Sequence, residues 1–316
     1  MPRPKRTEIE YRNYNLPPEF PVLALSGDSW HISDVPSKRL HFHNCLEIGL
    51  CLSDHGTLKW ENQEVEFHAG DVTCISRNVP HTTYSAPGES SLWSYLFLDP
   101  LSLLGVQTIA MLEREFAVQS MLTNCHILIS PETDPQIGHL IQSIIDEINS
   151  RSVGNQLSTR GLILALLVHI SRIFSNQPQD ELPASVFHEL SPGLEYIHAH
   201  YMEHFSLDYI AKICHLSPTH FRRLFAEQMG VNPLTFLHQI RVLESCNKLR
   251  SSGKTICDVA NEVGYSSLSN YNRHFREIMG CTPTEWRKSD GQLKPSILIF
   301  NGWTEAENLS DQDSDT

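Results

Sequence analysis

The sequence predicts an α+β protein: a strand-rich, barrel-type N-terminal half with flanking helices, then an all-α C-terminal third. Three observations predict this. Short apolar runs separated by turn residues recur from Pro21 to Asp99, the mark of a barrel or sandwich. Helical spacing replaces them after Pro100. Between Ser206 and Lys288 the chain repeats itself, each copy punctuated as helix, tight turn, helix. A length of 316 residues suits about two domains, and a hydrophobic fraction of 40% with 19% charged residues suits ordinary globular cores.

Taken in order, residues 1–15 are polar and lack an apolar signal core. Strands are expected at Pro21–Leu25, Leu46–Leu52, Thr57–Trp60, Glu64–Phe67, Asp71–Ile75 and Leu92–Leu98. Turns fall at Asp54–Gly56, Glu61–Gln63, Ala69–Asp71, Asn78–Pro80 and Pro87–Gly88. Pro135–Asn149 carries Ile137, Leu140, Ile141, Ile144, Ile145 and Ile148 at helical spacing, and Asn155–Phe174 reads as a second helix, apolar on most faces. Both helices are candidates for packing on the barrel or for dimerisation. The longest apolar stretch, Leu162–Ile170, is too short for a span of about 20 residues. Eight cysteines form no C-x-x-C pair, which excludes a zinc ribbon or thioredoxin-like motif and fits a reducing cytoplasm. No phosphate-cradling glycine loop or serine-nucleophile elbow is present. These features set the expected boundaries: a strand-rich domain with flanking helices over 1–176, a linker over 177–190, a helical domain over 191–288 and an acidic tail over 289–316 that is disordered at its end.

The repeat carries most of the functional information. Ser217–Phe236 aligns with Ser267–Trp286 at an offset of 50, matching Phe221 with Tyr271, Arg223 with Arg273, Phe225 with Phe275, Gly230 with Gly280 and Pro233 with Pro283. Upstream, Leu207, Ile210 and Ala211 match Ile256, Val259 and Ala260 at an offset of 49, so the second turn holds one extra residue. Ser206, Ser217, Thr255 and Ser267 stand where helix caps belong, and Gly230 and Gly280 where helices end. In each second helix the aromatic residues take one face. Thr219, His220, Arg222 and Arg223, and then Ser269, Asn270, Asn272 and Arg273, are left for the other. Arginine can pair two ways with guanine and asparagine with adenine. The chain as a whole carries a net charge of −13, yet residues 206–288 hold 11 Lys+Arg against 7 Asp+Glu, a local basic excess suited to phosphate. Pro233–Ser252 reads as one joining helix of roughly 30 Å, close to a DNA turn of about 34 Å.

The run GYSSLSNYNRHFREIMGCTPTEWR, with LSPTHFRRLFAEQMGVNP before it, resembles the DNA-binding domain of AraC/XylS-type transcription regulators over roughly a third of the chain. The resemblance implies sequence-specific promoter or operator binding. It assigns base reading to Thr219, Arg222 and Arg223 in unit one and to Ser269, Asn270 and Arg273 in unit two. Upstream, His41-x-His43-x₃-Glu47, then Gly70-Asp71 and Pro80-His81, resembles a cupin, the effector domain common in that family; the glycine that follows the glutamate is displaced to Gly56. Three imidazoles and a carboxylate can hold a divalent metal such as Zn²⁺, Mn²⁺ or Fe²⁺, or line an effector pocket without one. Trp60 and Trp93 lie in the same region, with Trp30 and Tyr95; aromatic rings stack on sugars, and the family resemblance admits a carbohydrate effector. The implied partners are double-stranded DNA, a small-molecule effector, a second copy of the chain, and RNA polymerase for an activator, with no membrane. Two other readings remain open: a metal-dependent cupin enzyme with a helical appendage, and a DNA-binding adaptor that senses nothing.

Overall fold

The computed structural model describes residues 8–300 apart from 15, 18, 38, 61–62, 78, 151, 177–185, 252 and 290–298. The turns expected around Asn62 and Asn78, most of the linker and nearly all of the tail therefore lie outside the described residues. The chain divides into two units, one holding Leu16–Pro183 and the other Ala184–Phe300 together with Tyr11–Asn15.

Strand β1 (Glu8–Tyr14) opens the chain. In the first unit β2 (Val22–Leu25), β3 (His31–Ile32), β4 (Arg39–His43), β5 (Leu46–Cys51), β6 (His55–Trp60), β7 (Gln63–His68), β8 (Val72–Ile75), β9 (His81–Ser85) and β10 (Ser91–Leu98) follow. Helices α1 (Pro100–Leu104), α2 (Val106–Glu115) and α3 (Val118–Asn124), strand β11 (His126–Ile129), and helices α4 (Pro135–Ser150) and α5 (Asn155–Ser175) complete it. One sheet runs β4-β9-β6-β7 and the other β11-β8-β5-β10-β2. The expected cupin-like barrel architecture is what these strands build.

The alternation of β6, with Gly56, Leu58 and Trp60 buried and the residues between them less so, directs Leu58 and Trp60 into a cluster with Cys51, Phe67, Ile75 and Trp93. A tight approach fixes this register: a Cβ on Gly56 would lie 2.3 Å from the carbonyl oxygen of Tyr84. A larger core joins Leu46, Ile48, Leu50, Leu96 and Leu98 of the sheet to Ile137, Ile141, Ile144, Ile163, Leu166, Leu167 and Ile170 of α4 and α5. The sequence expectation about membranes rests on Leu162–Ile170, but the helix enclosing that run is 21 residues and is long and apolar enough, by length and composition, to cross a bilayer. Its Ile163, Leu166, Leu167, Ile170 and Phe174 are buried in the core just described, which accounts for the apolar composition.

The second unit contains α6 (Val186–His200), α7 (Leu207–Ile213), α8 (Pro218–Met229), α9 (Pro233–Ser251), α10 (Ile256–Glu262), α11 (Leu268–Met279), α12 (Pro283–Lys288) and β12 (Ile299–Phe300). Helix α6 starts before the expected Ser191 and carries Pro192 in its interior, at the loss of one backbone hydrogen bond. The caps fall where the sequence puts them: Ser206, Ser217, Thr255 and Ser267 each accept from a backbone N–H three residues on. Gly230 and Gly280 end α8 and α11 at φ of 68° and 73°. The offset of one between the repeats is localised. His215 (φ 54°) and Gly264 (φ 88°) make the same left-handed step after α7 and α10, and Ser266 is the extra residue before the next cap. Of the Ile297–Trp303 stretch, for which the sequence offers no role, Ile299 and Phe300 form β12, which pairs in parallel with β1 at Asn13 and Tyr14. Tyr11 packs edge-on against Phe236, with ring centroids 5.4 Å apart.

Candidate functional site

Each recognition-type helix separates its faces sharply. On α8, Phe221, Leu224, Phe225 and Met229 are buried, and on α11, Tyr271, Phe275, Ile278 and Met279. Thr219, His220, Arg222 and Arg223, and Ser269, Asn270, Asn272 and Arg273, are all exposed. Ring contacts lock the buried faces: Phe221 to Phe225 and Phe225 to Phe236 at 5.5 Å in unit one, Tyr271 to Phe275 at 5.6 Å in unit two. The Tyr271 hydroxyl donates to Ser245 Oγ at 2.9 Å and so ties α11 to α9.

The arginines are exposed but not unpartnered. Arg223 Nη1 lies 3.2 Å from Glu227 Oε2, and Arg273 Nη1 the same distance from Glu277 Oε1. Arg222 Nη2 donates to Asp208 Oδ1 at 3.1 Å. The two Arg–Glu pairs occupy equivalent positions of the repeat, a match at offset 50 that the sequence displays and that the motif reading passes over. Their side chains remain 61% and 58% exposed, so the pairs are weak and give way readily to a better anion. Helix α11 borders a cleft of about 290 Å³ lined by His204, His238, Arg241, Tyr265, Asn270 and Arg273 among others.

In the first unit, His41, His43, Glu47 and His81 converge. His41 is the cross-strand partner of His81, and Trp60 stands opposite His81 on its other side, so the three share one sheet face. Glu47 comes from β5 of the other sheet. One ligand atom each of His41, Glu47 and His81 lie within 4.8 Å of one another. His43 Nε2 is 3.0 Å and His81 Nε2 3.6 Å from Glu47 Oε2. His43, Glu47 and His81 are buried and His41 is partly so.

The tautomers follow from the neighbours. His43 Nδ1 lies 2.9 Å from the Cys45 carbonyl and His81 Nδ1 2.8 Å from that of Val79. Carbonyls only accept, so each Nδ1 carries hydrogen and each Nε2 is turned on the carboxylate. A neutral imidazole would then oppose a lone pair to Glu47, so the cluster needs a positive charge at its centre, as a proton or a metal ion. An Nδ1–H bonded to a carbonyl with Nε2 facing inward is also how metal-ligating histidines are oriented. Burial pushes the Glu47 carboxyl up, but His81 and His43 outweigh it and hold it well below the usual carboxylate range. Burial is also the main force lowering His43, against the raising influence of Glu47.

The two tryptophans stand differently. Trp93 is wholly buried, stacked on Tyr95 and edge-on to Phe67, with Nε1 donating to Ser91 Oγ. Trp60 donates to Gln63 Oε1 at 2.8 Å and meets His126 edge-on. A ligand reaches the face of Trp93 only if Phe67 or Tyr95 moves.

A sensory barrel unit and a duplicated helix-turn-helix unit in one chain define a ligand-responsive, DNA-binding transcription regulator. Residues 24–167 match the model of an AraC-like ligand binding domain, and residues 210–289 that of a helix-turn-helix domain. The chain belongs to the AraC family of transcription regulators. It is 23% identical to the lactose operon transcription activator of Staphylococcus xylosus over 73% of this chain and 80% of that protein. It is 22% identical to the transcriptional activator RhaR of Mannheimia succiniciproducens over 84% and 97%. Among solved structures, ToxT of Vibrio cholerae, with an unsaturated fatty acid bound, aligns over 84% of this chain and 93% of its own at 13% identity and a TM-score of 0.41.

Proposed function

We propose that the chain reads a two-part operator with α8 and α11 in successive major grooves and adjusts that binding to a small molecule held in the barrel. The observation that carries this is the repeat itself: equivalent arginines, Arg223 and Arg273, exposed on equivalent helices whose opposite faces are sealed in the core. Thr219, His220, Arg222 and Arg223 contact one half-site, and Ser269, Asn270, Asn272 and Arg273 the other. Leu268, 40% exposed, offers the groove no hydrogen bond, so unit two reads fewer bases at its helix start. In vitro selection of duplexes from a randomised pool by the full chain, then anisotropy titration, tests this. Recovery of only unrelated sequences would refute it.

The effector site is His41, His43, Glu47 and His81 with Trp60 beside it, and Trp93 joins it only where Phe67 or Tyr95 moves aside. The relatives named for lactose and RhaR favour a carbohydrate effector, and a thermal-shift panel of sugars and other metabolites tests that class. The donor set fits a divalent cation held by His41, Glu47 and His81, with His43 Nε2 3.0 Å from the same carboxylate. A cation held there would polarise a hydroxyl or carboxylate of the effector. Metal analysis of protein purified without a histidine tag decides occupancy. The same cluster is what favours the second reading, a metal-dependent cupin enzyme, and turnover with metal-loaded protein separates the two. On the first reading the protein is not an enzyme, acts in the cytoplasm as a homodimer formed through residues 1–176, and as an activator engages RNA polymerase.

A further inference from the structure

We propose that His274 is a positioning residue for Arg273, and that a relay from α9 through His238, Tyr265 and His274 presets the guanidinium of unit two while leaving that of unit one free of any such anchor. This rests on the reading of Arg273 as a base-contacting residue.

The geometry runs in one direction only. Arg273 Nη2 lies 2.9 Å from His274 Nε2, and a guanidinium can only donate, so Nε2 is the acceptor. The remaining hydrogen of a neutral His274 is then on Nδ1, 3.2 Å from the Tyr265 hydroxyl. That hydroxyl, having accepted, turns its own hydrogen to His238 Nδ1 at 3.1 Å. Every donor meets an acceptor from the recognition helix to the central helix. The two imidazoles also face each other with ring centroids 3.8 Å apart. Burial, followed by the charge of Arg273, lowers His274, which keeps Nε2 an acceptor near neutral pH.

The relay has a fixed base. Arg241, buried in α9, donates from Nε to Tyr201 O at 2.7 Å and from Nη2 to Glu203 O at 2.9 Å, and its guanidinium carbon lies 5.6 Å from the Tyr265 ring centre. Tyr265 is placed by the turn before it. Gly264 has φ 88°, and a Cβ there would sit 2.6 Å from Met202 O, so no other residue type fits. With Glu277 on Nη1 and His274 on Nη2, the Arg273 fork is held at both ends.

Unit one has no counterpart. The residue equivalent to His274 is Leu224, buried in the core, and the residue equivalent to Tyr265 is Leu216. Of these two anchors, Arg223 has only the carboxylate, Glu227. A long side chain that is already ordered loses less freedom on binding, so the relay favours affinity and fixes which hydrogen-bond pattern the fork presents.

The test uses the full chain and a randomised duplex pool. Wild type, Arg273→Ala, His274→Leu, His274→Gln and Tyr265→Phe each select sequences, and each is titrated against the duplex that wild type selects. His274→Leu installs the residue unit one uses. We expect it to weaken binding about three- to tenfold and to erase the base preference that Arg273→Ala erases, with the other half-site unchanged. His274→Gln, whose Oε1 can accept from Arg273, should recover most of that preference. Unaltered preference in His274→Leu, or a loss spread over both half-sites, overturns the proposal. Should His274→Leu fail to melt cooperatively, Tyr265→Phe decides alone, by the same criterion. No effect of Arg273→Ala would instead sink the reading of Arg273 beneath it.

Discussion

At the scale of single residues, affinity for DNA is a matter of exchange. On the proposed reading, Arg223 exchanges Glu227, a half-buried surface partner of little worth, for a base edge in a groove where the same charge is desolvated and paired twice. Arg223→Ala should therefore weaken operator binding by about 1–3 kcal/mol and relax preference at one base pair. Anisotropy titrations against single-substituted duplexes measure both, and an unchanged Kd would remove Arg223 from the interface. In the barrel, Glu47→Gln takes away the negative charge around which three imidazoles gather. Metal bound by the wild type should be lost from that variant by mass spectrometry, while DNA binding without effector persists. His41, His43, Glu47 and His81 are legible in the sequence because their motif spacing survives. The acceptors that aim His43 and His81, the carbonyls of Cys45 and Val79, are not, because backbone carbonyls carry no sequence signature.

At the scale of elements, caps and periodicity carried the sequence reading, and short or paired elements escaped it. Strands β2, β5, β6, β7, β8 and β10 lie within two residues of their expected bounds, since each alternates or runs apolar between turn residues. Strand β9 is polar (HTTYS) and exists because β4 and β6 pair on either side of it, a tertiary cause invisible locally. Helix α2 buries only Ile109 and Leu112, too few for a stripe. The relay of His238, Tyr265 and His274 joins residues 27 and 9 positions apart and has no local pattern at all. Where local signals are strong they are also testable. Thr282 caps α12 and closes a capping box with Glu285, so Thr282→Ala should cost about 0.5–2 kcal/mol in urea unfolding. His238 supplies a pH test: burial first, then His274 and Arg241, push it down to about 4. Its unfolded value is near 6.5, so folding favours the neutral ring. The stability this gives is complete above pH 6.5 and is lost as pH falls toward 4. The melting temperature should decline across that window, and less steeply in His238→Gln. Parallel curves would show that His238 ionises as freely in the folded chain as in the unfolded one.

At the scale of the whole molecule, the charge split and α9 together define how DNA can be gripped. A net charge of −13 repels DNA at large, and the basic excess of residues 206–288 makes attraction local, so binding should be steep in salt and confined to that unit. Helix α9 then sets the spacing. Its Phe236, Leu237 and Ile240 are buried near its start, and Val242, Leu243, Cys246 and Leu249 belong to the core that seats α11. One continuous helix of 19 residues, about 28 Å long, thus forms part of both cores and cannot stretch without unpacking one of them. On the proposed reading such a strut serves half-sites about one DNA turn apart. Inserting about 5 base pairs between the half-sites turns the second groove to the far side of the duplex, and affinity should fall to that of a single unit. Inserting about 10 restores the facing but adds roughly 34 Å, beyond the strut, so affinity should stay low. Recovery at the longer insertion would mean that the two units are flexibly tethered. Full affinity at the shorter one would mean that only one of them reads DNA.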